Sequence, residues 1–221
     1  MNTFQIKLIA IVTMLIDHLG LFLFPQFLVF RIIGRIAFPL FAWLIANGAY
    51  HTHDISKYLQ RLYFFALLSQ FPFLFANRIV DPQFSDLNVI CTLFFGLGAI
   101  FFIQKTRNWV YRIIVIAIAV LLAQTLHTDY GGYGVCVIVG FYLFFNNFKR
   151  LAIAQGGLFL LWYLFSPQLV VYEVVGLVSL LFIKLYNNQP GPQAKYLFYL
   201  VYPVQYVVYG CILLWVLQTI H

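Results

Sequence analysis

Long apolar stretches, separated by short polar segments, run along the whole chain. A helix needs about 20 mostly apolar residues to cross a bilayer, and short loops make consecutive helices antiparallel neighbours. The pattern therefore predicts an all-α, polytopic membrane helix bundle with about nine transmembrane helices. We place these helices at residues 4–24, 27–47, 58–76, 87–104, 109–126, 131–147, 149–165, 169–186 and 196–218. A single transmembrane domain covering residues 1–221 is the expected organisation.

The composition favours the same class of protein. The chain is 63% hydrophobic and 9% charged, whereas a soluble domain is about 25% charged. Its net charge of +7 does not indicate nucleic-acid binding, because the basic residues lie in short loops and form no continuous stripe. Cys91, Cys136 and Cys211 lie inside apolar runs without metal-ligand spacing, so we expect neither a structural metal nor a disulfide framework.

Basic residues predict the orientation of the bundle. Loops on the cytoplasmic side of a membrane protein carry an excess of Lys and Arg. The even-numbered loops and their edges contain Lys57, Arg61, Lys105, Arg107, Arg112, Lys149, Arg150, Lys184 and Lys195. The odd-numbered loops contain only Arg78 and the outer-end Arg31. We therefore expect the N-terminus to be cytoplasmic and, with nine helices, the C-terminus to lie outside.

Four ionisable side chains occur in the first predicted hairpin: Asp17, His18, Arg31 and Arg35. A charge at the bilayer centre costs at least about 2.5–3.5 kcal/mol, so these groups need partners, water or a function. Adjacent helical residues point about 100° apart, so Asp17 is better placed to pair with Arg31 or Arg35 than with His18. A neutral imidazole is a common general base. The alternative is a structural cluster in which His18 bonds a carbonyl.

The first helix also predicts one wall of a channel. Lys7 and His18 are eleven residues apart and return to nearly the same face, with Met14 on the same stripe. At 1.5 Å per residue, the axial separation of Lys7 and His18 is about 16 Å.

A second polar group lies at the predicted cytoplasmic ends of the helices. It comprises His51, Lys57, Arg61 and Lys105. Lys and Arg are ordinary phosphate partners, so this group could bind a phosphorylated ligand. The alternative is that these residues only set the topology.

A third polar group lies at the predicted outer ends: Asn88, Asp129, Tyr130 and Glu173. Asn and Asp at helix starts are first of all caps for free N–H groups. Glu173 falls inside the eighth predicted helix, where a carboxylate facing lipid would be costly. We therefore expect Glu173 to face the interior of the bundle.

A set of motifs resembles those of the TraX family, in the same order over nearly the whole chain. The motifs are Met14-x-x-Asp17-His18-x-Gly20, Arg31-x-x-Gly34-Arg35-Ile-Ala-Phe-Pro39-x-Phe41-Ala, Gly48-x-x-His51-Thr52, Tyr58-x-x-Arg61-Leu, Asn88-Val-x-x-Thr92-Leu, Asp129-Tyr-Gly131-x-x-Gly134-Val and Tyr199-x-x-Tyr202-Pro203. The resemblance implies a polytopic acetyltransferase of the bacterial inner membrane, with acetyl-CoA as donor and a pilin N-terminus as acceptor. The spacing of Lys7 and His18 is also similar to the Arg-x10-His of the membrane acyltransferase-3 group, whose His is taken as catalytic.

For an enzyme of this kind we expect the following division of roles. His18 would act as general base, Arg31 or Arg35 would stabilise the oxyanion, and Asp17 would hold an arginine. The phosphates of acetyl-CoA would bind near the second polar group together with Lys7, and the acceptor, a protein or a small molecule, would enter from the outer side near the third. No metal is implied.

The sequence departs from the family pattern at three positions. Asn47 and Gln70 stand where the family commonly has Glu, and Gln205 stands where it has His. These amides cannot serve as acid or base. A proton- or ion-coupled transporter is the alternative function, because intramembrane Asp, His and Arg also form ion pathways. The inverted repeat that is common in such transporters is not evident in the sequence.

Overall fold

The structure is a computed structural model that describes residues 1–165, 173–192 and 195–220, with the side chains of residues 173, 195–198 and 220 excepted. The described residues form ten α-helices and one 3₁₀ helix. In chain order they are α1 (Thr3–Phe22), α2 (Leu28–Gly34), α3 (Ala37–His51), α4 (Ile55–Val80), α5 (Val89–Gln104), α6 (Trp109–Thr125), α7 (Gly131–Leu143), α8 (Phe148–Phe165), the 3₁₀ helix (Glu173–Val178), α9 (Ser179–Lys184) and α10 (Lys195–Ile220). The predicted all-α class is confirmed.

Four helical segments within the described ranges are long and apolar enough to cross a membrane: Thr3–Phe22, Leu28–His51, Ile55–Val80 and Tyr199–Thr219. Shorter apolar helices lie between the third and the fourth of them. Together they indicate a multi-pass membrane protein.

Two of the nine predicted helices are not continuous. The second is divided into α2 and α3. Pro39 lies in the first turn of α3 and has no N–H to donate to the Arg35 carbonyl, which is consistent with a break at this position. The described part of the eighth begins as the 3₁₀ helix and continues as α9, and positions 169–172 of that prediction lie outside the described residues. Gly176 lies in the 3₁₀ helix, where a Cβ would come within 3.3 Å of Pro39.

Hydrogen bonds between loops define two ends of the bundle. At the end that holds the N-terminus, the Asn187 amide donates to the Met1 carbonyl at 2.9 Å. The Asn146 side chain donates to the Tyr50 hydroxyl at 2.8 Å. We call this the N-terminal end. Tyr50, Asn146 and Asn187 lie at even-numbered loops between the predicted helices. These are the loops that are predicted to face the cytoplasm.

The opposite end of the bundle is also connected by backbone contacts. Leu87 donates to the His127 carbonyl at 3.0 Å, and Asp129 donates to the Leu87 carbonyl at 3.0 Å. The Gln70 amide donates to the Asp86 carbonyl at 2.9 Å. These contacts bring the loop before α5 against the loop before α7.

Helix α3 lies in the core of the bundle and packs against α1, α5 and α7. Its residues Leu40, Ala42, Trp43 and Ala46 are almost completely buried. Large apolar side chains are instead exposed on the outer helices, which is the surface expected of a protein in contact with lipid. Examples are Phe64, Phe71, Ile113, Leu121, Leu160 and Trp215.

Candidate functional site

The hairpin of α1 and α2 brings the polar groups together because two glycines allow close helix contact. A Cβ added at Gly34 would overlap the Asp17 side chain, and one added at Gly20 would overlap the Phe30 Cβ. Asp17 therefore lies directly against the backbone of α2 at Gly34, within reach of Arg31 before this glycine and Arg35 after it.

Asp17 pairs with both arginines of the hairpin. Arg31 Nη1 lies 2.8 Å from Asp17 Oδ2, and Arg35 Nη2 lies 3.0 Å from Oδ1. Arg35 Nε also donates to the Arg31 carbonyl at 3.3 Å. The Asp17 side chain is only 12% exposed. The expected pairing of Asp17 with the arginines is thus present.

His18 contacts a different helix. Its Nε2 lies 3.0 Å from the hydroxyl of Tyr206 on α10, and the two rings are 4.8 Å apart. The buried amide of Gln205 lies beside the imidazole, but no hydrogen bond of good geometry reaches His18 Nδ1 within the described residues. As expected from the helical spacing, Asp17 and His18 form no direct pair.

A cavity of about 260 Å³, the His18 cavity, lies beside these groups. His18 and the three charged residues of the hairpin all line it, as do Tyr202 and Tyr206. Towards the opposite end it is lined by Asp86, Asp129 and Tyr130. An imidazole, two guanidinium groups and several carboxylates therefore line the same cavity.

The third predicted polar group divides in the structure. Tyr130 stacks on Phe38 with ring centroids 3.6 Å apart, and both line the His18 cavity. Asn88 does not line it: its Oδ1 caps α5 by accepting from the Ile90 amide at 2.9 Å, and its Nδ2 donates to the Ala66 carbonyl. The side chain of Glu173 lies outside the described residues.

A second cavity of about 440 Å³, the Lys7 cavity, extends from the N-terminal end. It is lined by Lys7, Arg61, Tyr58 and Asn47, and otherwise mainly by apolar side chains. Asn47 Oδ1 is buried and accepts no hydrogen bond from the described part of the chain. The cavity thus combines two cationic side chains with one unsatisfied amide oxygen.

The two cavities adjoin. Both are lined by Met14, Phe41, Val89, Leu93 and Tyr202. Along α1, Lys7 and Met14 line the Lys7 cavity, whereas Met14 and His18 line the His18 cavity. The predicted stripe of Lys7, Met14 and His18 therefore runs along one side of both cavities.

The remaining residues of the second predicted group lie away from both cavities. His51 is exposed, with Nδ1 2.9 Å from the Asn47 carbonyl. Lys57 pairs with Asp54 at 3.2 Å, and the Lys57 amide and ammonium hold the pKa of Asp54 below its usual value. The Lys105 ammonium lies 3.9 Å from the centre of the Phe101 ring. The structure brings together only Lys7 and Arg61 of the predicted phosphate-binding set.

Tyr202 and Tyr206 line the His18 cavity and were not among the site residues expected from the sequence. Tyr199, Tyr202, Tyr206 and Tyr209 recur every three or four residues along α10, which places them on one helix face. That stripe is the signal that could have indicated them. Within the described ranges, no group of three His, Cys, Asp or Glu side chains is placed to hold a metal ion.

The chain is similar to proteins of Dichelobacter nodosus and Rickettsia prowazekii. The chain is 30% identical over 228 aligned positions to the probable fimbrial assembly protein FimC, serogroup H1, of Dichelobacter nodosus, with 92% of each chain covered. It is 29% identical over 139 positions to the uncharacterized protein RP591 of Rickettsia prowazekii (strain Madrid E), covering 61% of this chain and 52% of the relative. No solved structure matches the chain.

The family described as TraX protein matches residues 3–213. This range includes both cavities and the whole α1–α2 hairpin, so the match covers the site as well as the scaffold. The chain belongs to the TraX family.

Proposed function

We propose that the protein is a membrane-embedded acetyltransferase that transfers an acetyl group from acetyl-CoA to an amine acceptor. The observation that supports this most directly is the pair of adjoining cavities. One has cationic side chains at the N-terminal end, and the other holds a buried imidazole beside charged groups. The reaction requires both substrates to reach the same base. Two adjoining cavities with common lining residues would allow the donor and the acceptor to do so.

The Lys7 cavity suits the donor substrate. Lys7 and Arg61 would bind the phosphates of acetyl-CoA, and the apolar walls would surround its pantetheine arm. Asn47 Oδ1 needs a hydrogen-bond donor, and the arm carries amide N–H groups. The helical distance from Lys7 to His18, about 16 Å, is one that an extended arm can span.

His18 acts as general base in this proposal. The acceptor ammonium first loses one proton to water, and His18 then takes a proton from the neutral amine while the amine nitrogen attacks the carbonyl carbon of the thioester. The carbon–sulfur bond then breaks, and the CoA thiolate takes the proton from the imidazolium. A general base contributes about 10²–10⁴-fold to the rate. Tyr206 fixes the plane of the imidazole through Nε2.

Arg31 and Arg35 supply the positive charge for the oxyanion that forms during attack. Asp17 holds both guanidinium groups in place, so they need not reorganise as the negative charge develops. Removing one such donor typically costs about 10²–10³-fold in rate.

The acceptor enters from the opposite end of the bundle. Asp86 and Asp129 line that part of the His18 cavity, and carboxylates attract a cationic amine. Tyr130 lines the same cavity, and we include it in the acceptor site together with Glu173, as expected from the sequence. Asn88 is left out of this site, because its side chain caps α5 and bonds the Ala66 carbonyl. Because a relative is named as a probable fimbrial assembly protein, a pilin N-terminal amine is the acceptor that we favour. The protein would then lie in the bacterial inner membrane with the Lys7 cavity facing the cytoplasm.

The test is the substitution His18→Gln, which removes the base and retains a side chain able to bond Tyr206. Purified protein in nanodiscs would be given radiolabelled acetyl-CoA and a pilin N-terminal peptide. We expect acetyl transfer to fall by about 10²-fold or more. The matched control is His53→Gln, because His53 is exposed and lines neither cavity. Full activity of the folded His18→Gln protein would exclude His18 as the base.

A proton- or ion-coupled transporter is the second candidate. Adjoining cavities that extend towards both ends of the bundle, with charged side chains lining the His18 cavity, are compatible with a transport pathway. Ligand binding distinguishes the two. The enzyme should show a higher melting temperature with CoA or acetyl-CoA, whereas a transporter should respond to its solute and not to CoA.

A further inference from the structure

A third cavity of about 460 Å³ lies at the N-terminal end, where α5 and α7 end and α6 and α8 begin. We call it the Arg112 cavity. It shares no lining residue with the Lys7 cavity or the His18 cavity. It is therefore separate from the proposed reaction path.

The cavity carries two positive charges. Arg112 is held in place because its Nε and Nη2 donate to the Thr106 carbonyl at 2.9 and 2.7 Å. Arg150 also lines the cavity and makes no ion pair with the described residues. No Asp or Glu is among the lining side chains. The positive charge in this cavity is thus not neutralised by the described protein.

Neutral donors add to this charge. The Asn146 amide donates to the Tyr50 hydroxyl at 2.8 Å, and the Gln104 amide donates to the Tyr142 hydroxyl at 3.0 Å. Because both tyrosine oxygens accept these hydrogens, their own O–H groups remain to donate. Two guanidinium groups and two hydroxyl donors form a lining that suits an oxygen-rich anion, and phosphate is the common biological example.

The apolar surroundings indicate where such a ligand would come from. Ile103, Leu143 and Phe144 line the same cavity. On α6, the first residue Trp109 and the fifth residue Ile113 are 69% and 55% exposed. A phospholipid whose headgroup lies in the cavity could place its acyl chains on this surface. Basic pockets between helices are known binding sites for anionic headgroups.

We propose that the Arg112 cavity binds a phosphate group, carried by an anionic phospholipid or by a soluble phosphate ester. The site does not depend on the proposed acetyl transfer. Arg112 and Arg150 bind the phosphate oxygens, with Tyr50 and Tyr142 as additional donors.

The test compares two pairs of substitutions near the starts of α6 and α8. Arg112→Gln with Arg150→Gln removes the charges that line the cavity. Arg107→Gln with Lys149→Gln removes the same amount of charge from exposed neighbours that do not line it. Each delipidated protein in neutral detergent would be titrated with phosphatidylglycerol, phosphatidylcholine or pyrophosphate, and binding would be followed by native mass spectrometry and thermal shift.

We expect the Arg112/Arg150 variant to bind the anionic probe about tenfold more weakly or worse than wild type, because it loses two charged hydrogen-bond donors. The Arg107/Lys149 variant should bind like wild type. A preference for phosphatidylglycerol alone identifies the lipid as the source, and binding of pyrophosphate identifies a soluble phosphate.

Equal weakening in both variants would show diffuse surface attraction and overturn the proposal. Unchanged binding in the Arg112/Arg150 variant would do the same. If that double variant fails to fold, Arg150→Gln alone serves, because Arg150 is exposed and its side chain has no structural partner among the described residues.

Discussion

At the scale of single residues, the orientation of His18 depends on one hydroxyl from a distant part of the chain. The Tyr206 hydroxyl lies 3.0 Å from Nε2, across 188 positions of sequence. Tyr206 is fully buried, and its ring also contacts Phe73 and Tyr202. We regard it as a positioning residue, because it acts on the proposed reaction only through the imidazole.

Tyr206→Phe is the first prediction at this scale. The substitution retains the ring and removes the hydroxyl, so the imidazole can rotate away from the thioester. We expect kcat for acetyl transfer to fall about tenfold to a hundredfold, while the Kd for CoA stays unchanged because Tyr206 does not line the Lys7 cavity. Steady-state kinetics and CoA titration provide both measurements.

The matched control is Tyr209→Phe on the same face of α10. Its hydroxyl donates to the Leu15 carbonyl at 3.1 Å and contacts no residue of the proposed mechanism. A purely structural role for both hydroxyls would produce similar losses of stability and rate in the two variants. Such a result would contradict the positioning role of Tyr206.

Some features of the site at this scale could be predicted from sequence. The Asp17–Arg31 and Asp17–Arg35 contacts follow from helical spacing within one hairpin. The contact of His18 with Tyr206 does not, because spacing within a helix carries no information about which distant helix lies beside it. For Asn88 the sequence left two roles open, and the structure shows the cap.

At the scale of elements, the α1–α2 hairpin depends on Gly34. The second prediction is that Gly34→Ala destabilises the protein, because the added Cβ would overlap Asp17. Overpacking of this kind costs about 1–3 kcal/mol, and separating the helices would also lengthen the ion pairs of Asp17. Thermal unfolding in detergent should show a lower melting temperature, together with reduced acetyl transfer.

Gly98→Ala provides the comparison for this prediction. Gly98 lies inside α5 with open space around its Cβ position. Alanine is favoured over glycine in a helix by about 1 kcal/mol, so this variant should be as stable as wild type or more stable. A Gly34→Ala protein with wild-type stability and activity would show that α2 can move away from Asp17 without consequence.

The breaks within the second and eighth predicted helices show the limit of sequence analysis at this scale. Apolar length predicts that a segment is buried in a membrane, and it does so equally well for a continuous helix and for a broken one. Pro39 is a local signal for the first break. The 3₁₀ helix has a weaker signal, because Gly176 approaches Arg35 and Pro39 only after the chain has folded.

At the scale of the whole molecule, the adjoining cavities are formed by side chains from helices far apart in sequence. The stripe of Lys7, Met14 and His18 predicted one wall. Phe41 from α3 and Tyr202 from α10 complete the shared section, and their convergence is a consequence of tertiary packing. The sequence could therefore predict a channel wall but not that two cavities meet there.

The third prediction tests whether the two cavities serve as one passage. Met14 is buried in the wall that they share, so Met14→Trp should fill that section. We expect acetyl transfer to fall at least about tenfold, because the thioester can no longer reach His18. Binding of CoA itself should weaken less, because Lys7 and Arg61 remain at the N-terminal end. Radiolabel transfer and CoA titration measure these two effects separately.

Two comparisons separate blockage from misfolding. Val12→Trp places the same side chain on an exposed position of α1 and should leave transfer unchanged. Met14→Ala shortens the side chain and should leave the passage open, so transfer should persist even if stability falls. If folded Met14→Trp protein transfers acetyl groups at the wild-type rate, the thioester does not pass this section, and the donor must reach His18 by another route. The Lys7 cavity would then lose its place in the proposed reaction, whereas the roles of His18 and Tyr206 would remain to be judged by their own variants.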